Sequence, residues 1–247
     1  MQLVRVLCAA LAFLAGVSSA HAAEPRVLTL SDTSNPPFTN PEGTGIIDRV
    51  AGEAFRRAGL ELHLIRVPTE RAVLLADAGF TDGDMARIAG LEATYPNLIR
   101  VPENVTRLEA AAVSKNAAIP SKIEALVARD LGVIQGWKMY EPALRGARQI
   151  LTVDDADQLF RVLQYDRVEV ILFERRMAYA YIRKNAIANL HVLEPPLFLL
   201  PTYIYLHKRH AAYVPKIDAA LRALKREGFY QRVDREVLEV HAGGSRR

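Results

Sequence analysis

Short apolar runs rich in β-branched residues alternate with stretches of helical period through the first third of this chain, and that alternation restricts it to an α/β architecture. Residues 27–31 read as a buried strand. Asn35-Pro36-Pro37-Phe38 ends it, because two prolines cannot continue a ladder, and Gly43 and Gly45 then permit a turn. Ile46, Ile47, Val50, Ala51, Ala54, Phe55 and Ala58 recur at helical spacing, with Gly59 suited to the C-terminal cap. Residues 62–67 return to strand character and residues 71–78 to helix, stopped by Gly79. Strand, helix, strand, helix in this order implies parallel neighbouring strands.

A second block opens near residue 117. Ser121 and Glu124 have the spacing of a capping box, which predicts a helix start. Residues 131–134 form a short strand, and Gln135-Gly136-Trp137-Lys138 turns out of it into a helix. Residues 154–163 read as a helix with acids in its first turn, favourable to the dipole. Residues 168–173 make an apolar strand interrupted only by Glu169, and residues 178–184 are helical. Residues 197–206 are extended and broken by Pro201, and Ile217, Ala220, Leu221 and Leu224 form a helical face ending at Gly228. The sequence contains no internal repeat and no low-complexity linker.

The N-terminus carries an export signal. Arg5 precedes an apolar run over residues 6–17, and Ala20-His21-Ala22 supplies a small-x-small cleavage site, so residues 1–22 read as a signal peptide. The run is too short to span a bilayer. The sole cysteine, Cys8, lies inside this segment, so the mature chain of about 225 residues has no disulfide and is stabilised by its core. Without Arg5 there remain 31 basic residues against 28 acidic ones, a small and evenly mixed imbalance that does not suggest nucleic acid. The expected location is the periplasm.

Six dispersed features resemble the type II periplasmic solute-binding proteins, family 3, the branch that includes amino-acid receptors of ABC transporters. They are the strand followed by Asn35-Pro36-Pro37-Phe38, Gly45-Ile46-Ile47-Asp48, Leu75 with Gly79 and Asp82, the strand and turn 131–136, the segment Arg167-Val168-Glu169-Val170-Ile171-Leu172-Phe173-Glu174, and Leu221 with Leu224 and Gly228. The resemblance spans roughly residues 26–238. It implies two α/β lobes with a ligand cleft and two hinge crossovers. The first lobe would comprise residues 24–113 plus 208–240 and the second residues 114–207, with residues 241–247 a tail. The crossings would lie near residues 111–114 and 203–207.

The resemblance also names candidate ligand-binding residues. Phe38 would line the cleft and cover the ligand, or else plug the core. Arg87, with Asp82 and Asp84 close by in sequence, would grip a carboxylate bidentately or form a structural ion pair. The family's usual carboxylate-binding arginine follows a few residues later, where this chain has Leu91-Glu92-Ala93-Thr94, so either Arg87 or, secondarily, Arg100 replaces it, or the ligand carries no α-carboxylate in that position. Gln135, Gly136 and Trp137 would offer backbone amides to an anion, and the Trp137 ring would stack on a planar group or else pack under the turn. Lys138 is a further charge at that turn. Glu174 aligns with the acid that accepts the ligand's ammonium group; its partner would be a ligand cation, Arg175 or Arg176.

Other chemistry finds little footing. His207 and His210 lack a third ligand, Asp154, Asp155 and Asp157 lack the rest of a calcium loop, and no nucleophile elbow, zincin motif or phosphate loop occurs. No cofactor and no metal are expected. The expectation is a monomeric binding protein, not an enzyme, that captures an amino acid or small carboxylate for an inner-membrane ABC permease. A transporter-independent sensor and a cyclohexadienyl dehydratase-like enzyme using Glu174 or Asp84 are the alternatives.

Overall fold

The computed structural model describes residues 26–33 and 36–243. The expected signal segment, Asn35 and residues 244–247 of the tail lie outside the described residues.

Strand β1 (Arg26–Asp32) pairs in parallel with β2 (Leu60–Arg66), and the two are linked by helix α1 (Ile46–Arg57). The apolar stripe of α1 (Ile46, Ile47, Val50, Ala51, Ala54 and Phe55) is buried against Leu28, Leu30 and the last two helices of the chain. Burying a side chain of this kind contributes roughly 1.5–3 kcal/mol. Gly45 is required here, since a Cβ on it would lie 2.3 Å from the Phe38 carbonyl oxygen. That close approach lets the Pro37 and Phe38 carbonyls accept from the amides of Ile46 and Ile47 at 3.0 and 2.8 Å. Asp48 returns the favour, accepting from the Asn40 and Gly45 amides at 3.0 Å each. The proline turn and the helix start therefore cap one another.

Helix α2 (Thr69–Asp77) leads into β3 (Gly83–Arg87), which pairs with the other side of β1. Gly83 is likewise dictated by packing, because a Cβ would fall 2.1 Å from the Tyr205 carbonyl oxygen. After the short β4 (Leu98–Arg100), the chain enters a second region built from β5 (Thr106–Ser114), β6 (Asp130–Ile134), β7 (Gln149–Val153) and β8 (Val170–Glu174). Helices α3 (Ile123–Leu126), α4 (Glu141–Leu144), α5 (Ala156–Gln164) and α6 (Arg175–Lys184) connect these strands or follow them. Two apolar clusters fill this region, one around Phe160 and Phe173 and one around Leu131, Leu172 and Tyr140.

Strand β9 (His191–His207) joins the two halves. Its residues up to Thr202 pair with β5, and those from Tyr203 pair with β3 and β4. The strands thus form a continuous, curled sheet in the order β2-β1-β3-β9-β5-β8-β6-β7, with β4 also on β9. Helices α7 (Val214–Arg226) and α8 (Phe229–Gly243) then return to cover the first half.

Several expectations are corrected. Pro201 does not break the extended segment: it sits opposite Arg107 where β9 has a partner on one side only, so its missing N–H leaves no ladder position empty. Residues 111–114 are not a crossing, since they pair with β8 deep in the second region; the sheet changes hands between Arg100 and Thr106. Ser121 is not a cap, because its hydroxyl donates to the Pro195 carbonyl at 2.7 Å while Lys122 takes the N-cap position. The helix expected after Gly136 is a 3-10 turn, Lys138–Tyr140, followed by only the four residues of α4. Helix α8 was not anticipated.

Candidate functional site

The winding of β1, β2 and β3 recurs in β6, β7 and β8. In each case the first strand has its two successors on opposite sides, giving the orders β2-β1-β3 and β7-β6-β8, all parallel. Such a reversal opens a crevice at the carboxyl ends of the strands, where loops leave in opposite directions and ligands are bound. The repeat exists in topology although none is visible in the sequence.

The first crevice carries a buried polar cluster. Asp32 ends β1 and accepts from the Thr39 hydroxyl at 2.7 Å, both residues being buried. Asp84 stands next to it on β3 and is fully buried. Arg87 donates through Nε to Asp84 Oδ2 at 2.6 Å, and the Met85 amide donates to Asp84 Oδ1 at 3.0 Å. Burial pushes the Asp84 carboxyl up to about 6 against the opposing pull of Arg87, with Asp32 adding to the rise. The Arg87–Asp84 geometry arises from an irregularity between Asp84 and Arg87, where Ala86 adopts φ +57°, a left-handed conformation that is unfavourable for a residue with a Cβ. Of the two uses weighed for Arg87, the structure displays the ion pair.

The second crevice is assembled from the turn after β6 and the end of β8. Gln135 and Gly136 are exposed, with Gly136 at φ +78°. Trp137 is half-buried and stacks on Phe173, ring centres 5.0 Å apart and planes within 6°, with Tyr140 stacked 6.2 Å from it. Its ring is thus part of the interior packing under the turn. A 3-10 turn followed by four helical residues does not make the helical anion site expected of this turn. Glu174 caps α6, accepting from the amides of Met177 at 2.9 Å and Glu109 at 3.1 Å, and pairs with Arg176 Nε at 3.2 Å. The partner anticipated for Glu174 is therefore Arg176, while Arg175 turns to Glu109 and Glu194. Burial raises the Glu174 carboxyl despite Arg176, and burial together with Glu174 holds the Tyr140 phenol well above its ordinary range.

The two crevices meet at Phe38. Its ring is buried in the first core, with the Arg176 guanidinium 4.7 Å above its centre. Phe38 therefore faces an arginine of the other half rather than open space. The remaining candidates lie elsewhere. Arg100 rests on the Tyr203 ring at 4.6 Å, with Glu92 at 3.6 Å. Asp82 and His210 pair at 2.6 Å beneath β3, His210 being buried. Asp32, Thr39 and Asp234 were missed by sequence reasoning. The available signal for Asp32 was an acid closing an otherwise apolar strand.

No protein-family model matches the chain. An uncharacterized protein of Shewanella oneidensis is 25% identical over 210 residues, covering 76% of this chain and 75% of its own length. The ligand-binding core of GluR0 in complex with L-glutamate superposes with a TM-score of 0.75 at 16% identity, covering 86% of this chain and 98% of that one. A histidine kinase sensor domain with similarity to periplasmic binding proteins gives a TM-score of 0.69 at 15% identity, with coverage of 87% and 97%. An amino-acid ABC transporter substrate-binding protein of Streptococcus pneumoniae bound to L-arginine gives 0.67 at 14% identity, with coverage of 87% and 95%. The chain has the periplasmic-binding-protein fold. The two crevices lie in the two halves of the curled sheet that β9 joins. No described helix is long and apolar enough to cross a membrane.

Proposed function

We propose that this protein is a periplasmic solute-binding protein of the family 3 type that captures a small polar solute, an amino acid or small carboxylate, for uptake by an ABC permease. The observation that carries the reading is the pair of switch points, one in each half of the sheet, each holding a buried carboxylate and an arginine at the carboxyl ends of its parallel strands. A solute that touched both lobes would stabilise the closed arrangement, and binding energy of that kind is what drives hinge closure. The described residues contain no cluster of three or more metal-ligating side chains. The candidate residues for the solute are those of the two crevices, namely Phe38, Asp84, Arg87, Gln135, Gly136, Trp137 and Glu174.

The test is a thermal-shift screen of the purified protein against amino acids, organic acids, polyamines and sugars. A ligand that binds only the folded state adds about 2.7 kcal/mol at a hundredfold excess over Kd. A hit that is lost in Arg87→Ala supports the reading; a folded protein that responds to no pool sinks it. A second reading, a transporter-independent sensor or accessory protein, is favoured by the likeness to a sensor domain reported above. A solute that the protein binds, but whose uptake is unchanged when the protein is deleted from the cell, would select it.

A further inference from the structure

Two arginines of α6 reach across the junction between the halves: Arg183 donates to the Leu238 carbonyl of α8 at 3.1 Å, and Arg176 makes the larger set of contacts. Arg176 stands in the first turn of α6, yet its side chain is only 6% exposed. Its Nε donates to Glu174 at 3.2 Å, one Nη donates to Asp234 Oδ1 at 3.2 Å, and the other donates to the Arg107 carbonyl. The Phe38 ring covers its flat face. Glu174 and Arg107 belong to β8 and β5 of the second lobe. Phe38 and α8, which carries Asp234, pack on the first. Two carboxylates, a carbonyl and an aromatic face around a planar cation are the features by which proteins recognise a guanidinium or an ammonium group.

We propose that this is a cation cage filled by the protein's own Arg176, and that Arg176 thereby determines specificity: ammonium and guanidinium groups are shut out of the Glu174 end of the crevice, so that of the two solute classes named above the small carboxylates are accepted and the amino acids are not. The statement about solutes rests on the solute-binding reading; the cage does not. With Arg176 in place, a ligand ammonium approaching Glu174 finds its carboxylate already holding a guanidinium and two backbone amides. With the side chain gone, Glu174 and Asp234 face each other with no cation between them, and a buried carboxylate without a partner is strongly unfavourable. The vacated volume and charge then match a free guanidinium on a two-carbon stem.

The experiment compares the wild type with Arg176→Ala and with the double variant Arg176→Ala/Glu174→Gln, by thermal shift and far-UV circular dichroism. The probes are ethylguanidinium, agmatine, L-arginine and succinate. Ethylguanidinium is expected to raise the melting temperature of Arg176→Ala saturably, to do so at least tenfold less effectively in the double variant, and to leave the wild type unmoved. Agmatine and L-arginine, whose stems are longer than the vacated volume, should bind Arg176→Ala less well than ethylguanidinium does and the wild type not at all. If Arg176→Ala is unfolded alone, recovery of its dichroism on adding ethylguanidinium is the supporting result, and failure to recover overturns the proposal. Saturable stabilisation of the wild type by L-arginine or agmatine also overturns it, while supporting the solute-binding reading. Rescue of the variant with no solute bound by the wild type leaves the cage and removes that reading.

Discussion

At the first crevice, Arg87 folds back three residues onto Asp84 of its own strand. At the second, Arg176 pairs with Glu174 and then reaches out to Asp234 and Phe38 in the other lobe. The same winding thus carries two different electrostatic designs. A pair within one strand needs no partner from elsewhere and persists whatever the other lobe does. A guanidinium shared between lobes exists in its present form only while the lobes keep their present spacing. The first pair is local to β3, whereas the second contact spans both halves of the sheet.

The largest expected effect follows from breaking the shared arrangement at its buried end. Glu174→Ala leaves Arg176 without its most buried counter-charge and removes the cap of α6. Removing one partner of a buried pair is destabilising by about 3–5 kcal/mol. Urea unfolding followed by circular dichroism and by the fluorescence of Trp137 measures the loss, and Trp137, being the sole tryptophan and stacked on Phe173, reports on the second lobe. A loss below about 1 kcal/mol, the range of exposed pairs, would mean that Asp234 alone balances Arg176 and that the comparison drawn above is wrong.

The local pair is probed by pH. The Asp84 carboxyl sits at about 6 in the folded protein against an ordinary value of 3.8, chiefly through burial. Between those values the folded state holds a proton that the unfolded chain has released. Its contribution to stability is therefore complete below about pH 4 and is lost as the pH rises through about 6, up to about 3 kcal/mol in all. Asp84→Asn removes this segment of the profile. The check is the difference between wild-type and variant unfolding free energies across that window, and a difference that does not change with pH counts against the assignment.

The strands and helices were legible because periodicity and glycine placement act locally. Gly59, Gly79 and Gly228 all take positive φ where the sequence places helix ends. The α1 stripe is buried as its spacing requires. What could not be read was anything decided by a partner distant in sequence. Ser121 has the spacing of a capping box, yet Pro195 claims its hydroxyl. Pro201 looks like a break until β9 is seen to have one neighbour there. Glu174 and Arg87 are the last residues of their strands, and Trp137 lies in the turn after Ile134. Their present contacts depend on Arg176, Asp84 and Phe173, and only the first two were foreseeable as close neighbours in sequence. Asp234 lies on a helix that the sequence reading left out, so the far side of the Arg176 contact was invisible.

The outer arm of the shared arginine gives a smaller effect. Asp234 is 39% exposed, and burial raises its carboxyl although Arg176 pulls it down. Solvent screening limits such a pair to about 1 kcal/mol or less. Asp234→Asn should therefore cost far less than Glu174→Ala in the same urea titration. Equal losses would mean that the two carboxylates carry the contact in equal measure.

The smallest effect separates strain from charge. Ala86 holds φ +57° between Asp84 and Arg87, whereas Glu174, at the corresponding end of the second crevice, has φ −68° and no such strain. A left-handed conformation is unfavourable by roughly 1–2 kcal/mol for a residue with a Cβ, and glycine avoids this while losing about 0.5–1 kcal/mol of chain entropy. Ala86→Gly should accordingly stabilise the protein by about 0.5 kcal/mol, read from the urea midpoint at unchanged slope. The same change loosens the turn that folds Arg87 onto Asp84, so affinity for any solute that depends on Arg87 should fall as stability rises. Opposite signs in the two measurements would show that the first crevice uses backbone strain to preset its arginine. A variant that loses stability would show instead that the Ala86 methyl contributes more through packing on the first core than its conformation costs.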